Sequence, residues 1–217
     1  MRGRMGANEI IGIYRKRAKN YDFWARLYWI AGIRTEYYRK CAIESLNACK
    51  GGKIIDLCCG TGLNFPLIMK KVGKTGKITG VDITDAMLKK AKERVVKNKW
   101  KNITLVHSDA AKYKFPAKAD GVVTTLALTL SPEYDEVIKN AHTTLRKGGR
   151  FVILDFKMPE GPAKMLAPFL IFLTKPYGIK RELASRHPWE SIKRYFRNLH
   201  MREFYMGFLY VAYGEKK

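Results

Sequence analysis

The chain has 217 residues, 47% of them hydrophobic, enough for one well-buried α/β domain and short for two. Its 42 Lys and Arg outweigh 19 Asp and Glu to a formal charge of +23, which calls for an anionic partner surface, an acidic membrane or a nucleic acid, unless lysine is simply abundant over the whole surface. Four cysteines with no C-x-x-C pair indicate neither a metal site nor a disulfide framework, and the longest apolar run, 165–173, is nine residues against the roughly 20 of a spanning helix, so a cytoplasmic chain is expected, free or peripheral at the inner face of the membrane.

In chain order, Tyr14, Ala18, Tyr21 and Trp24 recur at helical spacing while Arg15, Lys16, Arg17 and Lys19 take the other faces. This predicts a basic amphipathic helix, either lying on an anionic leaflet or packing its aromatics on the body of the fold. The run Lys53-Ile54-Ile55-Asp56-Leu57-Cys58-Cys59-Gly60-Thr61-Gly62-Leu63-Asn64 follows: an apolar strand, an acid, two close glycines, then a helix carrying Leu67 and Ile68 up to Gly73. Gly60 and Gly62 accept positive φ and let a backbone approach a ligand, as at a nucleoside-binding turn. The next strand, Lys77 to Asp82, places Asp82 26 residues after Asp56, near the spacing of about 20 at which such folds offer a carboxylate to ribose hydroxyls.

A helix from Asp85 follows, with Leu88, Ala91 and Val95 on one face. A strand at Ile103 to Val106 leads to Ser108-Asp109-Ala110, and a buried strand spans 120–126. Ser131-Pro132-Glu133 is expected to cap the next helix, Leu145 to Gly149 to stop it, and Arg150 to Asp155 to form a strand. Two aromatic runs parted by Gly207 within 201–213 predict a terminal hairpin. Strands alternating with helices imply a mostly parallel sheet covered on both faces, and such sheets bind ligands at the carboxyl ends of their strands.

A dinucleotide fold spells Gly-x-Gly-x-x-Gly, whereas here the third glycine position is Phe65 and Asp56 would repel a phosphate. A cationic ligand with an amine and a ribose fits better. With acids ending the first and second strands and an Asp after the third, the chain resembles the class I S-adenosylmethionine-dependent methyltransferases. It departs once: Cys58 stands in place of the usual first glycine. The resemblance implies a Rossmann-like sheet of seven strands with a reversed last strand, S-adenosylmethionine as cofactor, and no metal. It places Asp56 near the methionine amine and Gly60 and Gly62 along the methionine and ribose. Asp82 goes to the ribose hydroxyls, and Asp109 with Ala110 to the adenine, with Met87 either beside it or in the core. It extends the cofactor set to Tyr14, Tyr21, Cys58, Thr61, Asn64, Ile83 and Leu126.

The acceptor must be read from elsewhere, because this scaffold serves many chemistries. Base-modifying enzymes often carry Asn-Pro-Pro-Tyr or Asp-Pro-Pro-Tyr after the fourth strand; Thr124-Thr125-Leu126-Ala127-Leu128-Thr129 is apolar instead, which speaks against nucleic acid and for a greasy acceptor. Together with Tyr14 to Asp22, Gly62 to Pro66, Leu128 to Asp135, Arg186-His187-Pro188-Trp189-Glu190 and Gly207 to Ala212, it looks like a branch related to ubiquinone/menaquinone C-methyltransferases and phosphatidylethanolamine N-methyltransferases. One domain over 1–217 is expected, with a helical lid at 1–48 and a helical insertion at 157–198 over the acceptor. Tyr14 and Tyr21 would orient the acceptor, His187 would accept a proton, and Lys175, Arg181, Arg186 and Tyr205 would hold a lipid head group. N-methylation of a phospholipid amine at an anionic membrane surface is the leading expectation. C-methylation of a prenylated quinone, or methylation of a small amine or thiol, is the alternative.

Overall fold

The computed structural model describes residues 7–27, 34–116, 118–168, 171 and 186–217. The expected seven-stranded Rossmann-like sheet is found, in the order β3-β2-β1-β4-β5-β7-β6. Its strands are β1 (Lys53–Leu57), β2 (Lys77–Asp82), β3 (Ile103–His107), β4 (Ala119–Thr125), β5 (Leu145–Phe156), β6 (Arg197–Phe204) and β7 (Leu209–Glu215). All neighbours pair in parallel except β7, which runs antiparallel to both β5 and β6.

Alternation along the strands splits the core into two layers, because successive side chains point to opposite faces. Ile54, Val123, Val152 and Leu154 join one layer with Ala42, Ile43, Phe65, Ile68, Leu88 and Ala91. Ile55, Val122, Phe151 and Ile153 join the other with Val137, Ile138, Ala141 and Ile192. The first layer is therefore roofed by α3 (Thr35–Glu44), α4 (Phe65–Val72) and α5 (Asp85–Lys97), and the second by α6 (Tyr134–Thr144) and α7 (Pro188–Tyr195).

Three boundaries differ from those read in the sequence. The N-terminal helix is two helices, α1 (Ala7–Arg17) and α2 (Tyr21–Leu27), separated by a turn at 18–20. The chain thereby presents Tyr14 and Tyr21 to one cavity instead of spreading them along one straight face. Helix α6 starts at Tyr134 with Glu133 as its N-cap residue. Ser131 and Pro132 precede it, because the Ser131 amide instead closes a 3₁₀ turn over Leu128–Leu130 by bonding to the Leu128 carbonyl at 2.9 Å. Strand β5 begins at Leu145, directly after α6, and shifts register against β4 between Ala119 and Gly121. The expected terminal hairpin is present as β6 and β7, with Gly207 at φ 83 in its turn. Among the described residues, no helix is long and apolar enough to cross a membrane.

Candidate active site

A cavity of about 280 Å³ opens at the carboxyl ends of β1 to β4. Its floor is the turn after β1. Cys58 there takes φ 53 and Gly60 φ 55. The departure from glycine at Cys58 thus leaves the left-handed backbone in place, at a conformational cost of about 1–3 kcal/mol. Leu126, just past β4 and also in the cavity wall, adopts φ 58, so two non-glycine residues carry left-handed backbone strain in the wall. A Cβ built on Gly60 meets nothing within 4 Å, so that position is a cradle open to the cavity. Gly62 is different: a Cβ there would lie 2.5 Å from the Phe65 ring, so its role is to let α4 start against the sheet.

Asp82 fixes this turn to the second strand. Its carboxylate accepts the Gly60 amide at 2.8 Å and the Thr84 amide at 2.8 Å. Burial pushes its pKa up, and those two backbone bonds oppose the shift. Asp109, at the tip of β3, accepts the Ala111 amide at 2.9 Å through one oxygen. Met87 is buried to 2% exposure and also lines the cavity, so the core and ligand-facing readings of this residue describe the same side chain.

Helices α1 and α2 close the site from above. The rings of Tyr14 and Tyr21 lie 6.2 Å apart and both line the cavity. Burial raises both phenol pKa values, Tyr14's the further, with the neighbouring Tyr21, Asp82 and Asp155 adding to it, so both remain protonated at neutral pH. The next residue after each tyrosine anchors the lid. Arg15 makes a two-point ion pair with Asp85 at 2.8 and 3.2 Å. Asp22 accepts the Thr61 hydroxyl at 2.5 Å and pairs with Arg94, whose Nε also donates to the Thr61 carbonyl at 2.8 Å.

The far wall is the 3₁₀ turn at Leu128–Leu130 and the residues up to Glu133. Asp155 holds that turn from below, accepting the Thr129 amide at 2.8 Å, and burial pushes its carboxyl up to about 6. Arg186 holds it from the side, donating to the Thr129 and Leu130 carbonyls at 2.7 and 2.8 Å.

Of the residues expected from the sequence, Tyr14, Tyr21, Cys58, Gly60, Thr61, Asp82, Ile83, Met87, Asp109, Ala110 and Leu126 meet in this one wall. Asp56, Gly62 and Asn64 stand behind it. Asp56 faces the α3 and α4 side of β1, fully buried, and accepts the Asn64 amide at 2.8 Å. Its other oxygen has no partner among the described residues, and burial raises its pKa to about 7. His187 lies outside the wall: as the residue before Pro188 it takes the N-cap of α7, where its ring packs 4.8 Å from Trp189 and 3.5 Å from Glu190, so it is not placed to take a proton from a group in the cavity. Arg186 donates to the carbonyls of the wall, and Tyr205 sits in the β6–β7 turn at φ 52 and is not among the residues lining the cavity. Lys175 and Arg181 lie outside the described residues.

The sequence reading missed Arg39 and Thr125. Arg39, from α3, lines the cavity and donates to Asn64 at 2.9 Å and to Thr125. The only signal for it was an arginine on the apolar side of a helix, between Tyr38 and Ala42, both buried.

The wall suits S-adenosylmethionine. The Gly60 cradle is open, two carboxylates stand at adjacent strand tips for ribose and adenine, and an acid rather than a phosphate-binding third glycine attends the turn. When bound, that group supplies a methyl on a cationic sulfur. Among solved structures, a methyltransferase of Thermotoga maritima aligns with 96% of this chain and 100% of its own at a TM-score of 0.70 and 15% identity. One from Aquifex aeolicus covers 92% and 97% at a TM-score of 0.61 and 16% identity. A phosphoethanolamine N-methyltransferase of Haemonchus contortus covers 82% and 52% at a TM-score of 0.62 and 14% identity. These likenesses speak for the fold. In sequence, the demethylmenaquinone methyltransferase of Staphylococcus aureus is 28% identical over 94% of this chain and 92% of its own length. The profile of the ubiE/COQ5 methyltransferase family matches residues 4–176, and the chain belongs to that family as an S-adenosylmethionine-dependent methyltransferase.

Proposed function

We propose that the chain methylates a ring carbon of a lipid-tailed, reduced quinone. The observation that carries this reading is the near full-length likeness to a demethylmenaquinone methyltransferase. The wall supports it: Ile10, Leu126, Leu130 and Pro132 give the acceptor side an apolar surface for a flat ring. Of the head-group anchors expected for a phospholipid, Arg186 donates to two backbone carbonyls and Tyr205 is not in the cavity wall, while Lys175 and Arg181 lie outside the described residues, so the anchors lend that acceptor no support. This displaces phospholipid N-methylation from the leading place it held on sequence alone.

Methyl transfer from a sulfonium is an in-line displacement: the acceptor's ring carbon bonds to the methyl as the sulfur–methyl bond breaks, and the ring C–H then gives up its proton to solvent as the aromatic quinol is restored, so the chain's main work is alignment in a sheltered site. Tyr14 and Tyr21 cover the reacting centre as protonated hydroxyl donors, and Asp155 and Arg186, each through its own bonds to the 3₁₀ turn, fix the opposite wall. The +23 charge supports an anionic lipid surface as the place where such an acceptor is met. A phospholipid amine remains the second reading, favoured by the Tyr14–Tyr21 pair, whose ring faces would attract a cationic methylated product.

The test is incubation with labelled methyl donor and, separately, reduced short-chain demethylmenaquinone and phosphatidylethanolamine vesicles. Label in the quinone is expected. Label in the phospholipid alone would replace the first reading with the second.

A further inference from the structure

We propose that Arg39 reads the carboxylate at the amino-acid end of the donor, and so makes the site select S-adenosyl ligands that carry this group over those that lack it. The sheet order sets the ligand's direction. Asp109 lies at β3, Asp82 at β2, the Cys58–Gly60 turn at β1 and Thr125 at β4, in that spatial order along one edge. Strands are spaced about 4.8 Å, so the row spans about 14 Å from the adenine-side acid to the Thr125 end. Arg39 occupies that last end, bonded to Thr125 itself.

Its environment leaves the charge wanting a counter-ion. Arg39 is 8% exposed, and its two hydrogen-bond acceptors, Asn64 Oδ1 and Thr125 Oγ1, are neutral. Among the described residues no acid lies within ion-pair distance of it. The nearby carboxyl, Asp56, is buried and titrates at about 7, so at neutral pH it cancels the guanidinium only in part. A buried cation without a full partner is costly, and an anionic ligand group relieves that cost. Elsewhere the wall would repel such a group, since it carries Asp82, Asp109 and Glu133. The other cation in the wall, Lys112, is exposed. A guanidinium has five N–H donors in a rigid fork, and the two bonds seen here use only one of its nitrogens.

The inference rests on the donor-binding reading of this cavity, and one calorimetric experiment separates the two. S-adenosylhomocysteine and its decarboxylated analogue differ by the carboxylate alone. The wild type should prefer the former by about 10- to 100-fold, the range for a charged hydrogen-bonded pair. In Arg39→Gln the preference should collapse to within about 3-fold, and Arg39→Lys should restore part of it. The ratio of two ligands on one preparation is insensitive to a loss of folded protein, so a merely structural role for Arg39 leaves it unchanged. An unchanged ratio in Arg39→Gln, or a wild type that binds both ligands equally, overturns the assignment while leaving the donor site intact. Failure of both ligands to bind the wild type overturns the donor site and the assignment together.

Discussion

The two glycines after β1 look equivalent in the sequence and should behave differently when each is given a methyl group. At Gly60, φ is +55 and a Cβ finds open space. Alanine there bears left-handed strain of about 1–2 kcal/mol, offset by about 0.4–1 kcal/mol of reduced unfolded-chain entropy, for a net loss near 1 kcal/mol. For a chain of this size that lowers Tm by about 2–4 °C. The methyl group instead stands in the ligand's volume, where one extra methyl typically costs about 1–3 kcal/mol, or about 5- to 150-fold in affinity. At Gly62, φ is +78 and the Cβ would lie 2.5 Å from two atoms of the buried Phe65 ring. Strain and overpacking then add to about 3 kcal/mol, a drop of roughly 6–12 °C. Thermal melting by circular dichroism and titration with S-adenosylhomocysteine read both quantities. Gly60→Ala should lose ligand and keep its fold, and Gly62→Ala should lose stability first. Wild-type affinity in Gly60→Ala, or equal melting shifts in the two variants, would refute the division of labour.

Three further outcomes are expected. Asp82→Asn keeps one acceptor for the Gly60 or Thr84 amide but turns an N–H toward the other; its S-adenosylhomocysteine affinity should fall by at least about 10-fold, measured by titration. Asp56, with a native pKa of about 7 against 3.8 for the ordinary group, favours the native state fully below about pH 4 and loses that contribution as pH rises toward 7. Melting of Asp56→Asn against wild type should therefore show the variant gaining stability relative to the parent between about pH 4 and 7, and a difference flat with pH would contradict the burial argument. Asp22→Asn breaks a partly buried pair with Arg94, which should weaken S-adenosylhomocysteine binding about 2- to 5-fold and flatten its dependence on salt; equal salt slopes in the two proteins would count against the ionic clasp.

The sheet and the donor side of the cavity were legible in the sequence because their signals are local. Asp82 and Asp109 end strands that announce themselves by apolar runs, and Gly60 sits in a turn whose residues adjoin. Arg39 was not legible, because its partners Asn64 and Thr125 are 25 and 86 residues away, and an arginine in Tyr37-Tyr38-Arg39-Lys40 reads as one more surface charge. Asp22 and Arg94, 72 residues apart, were hidden for the same reason. His187 drew attention as one of four histidines in the chain, yet chemical type says nothing of direction, and the Pro188 helix start turns its ring to Trp189. Asp56 stands out in the sequence by its place before the glycines, but strand alternation faces it to α3 and α4, behind the cavity wall.

Helix α5 joins both halves of the site. It carries Met87 in the cavity wall, and both lid anchors end on it, at Asp85 and Arg94, the latter also bracing the Thr61 carbonyl of the turn below. Lid and nucleoside wall thus hang on one rigid element, and loosening that helix at either end should uncover the cavity and weaken donor binding in a single step.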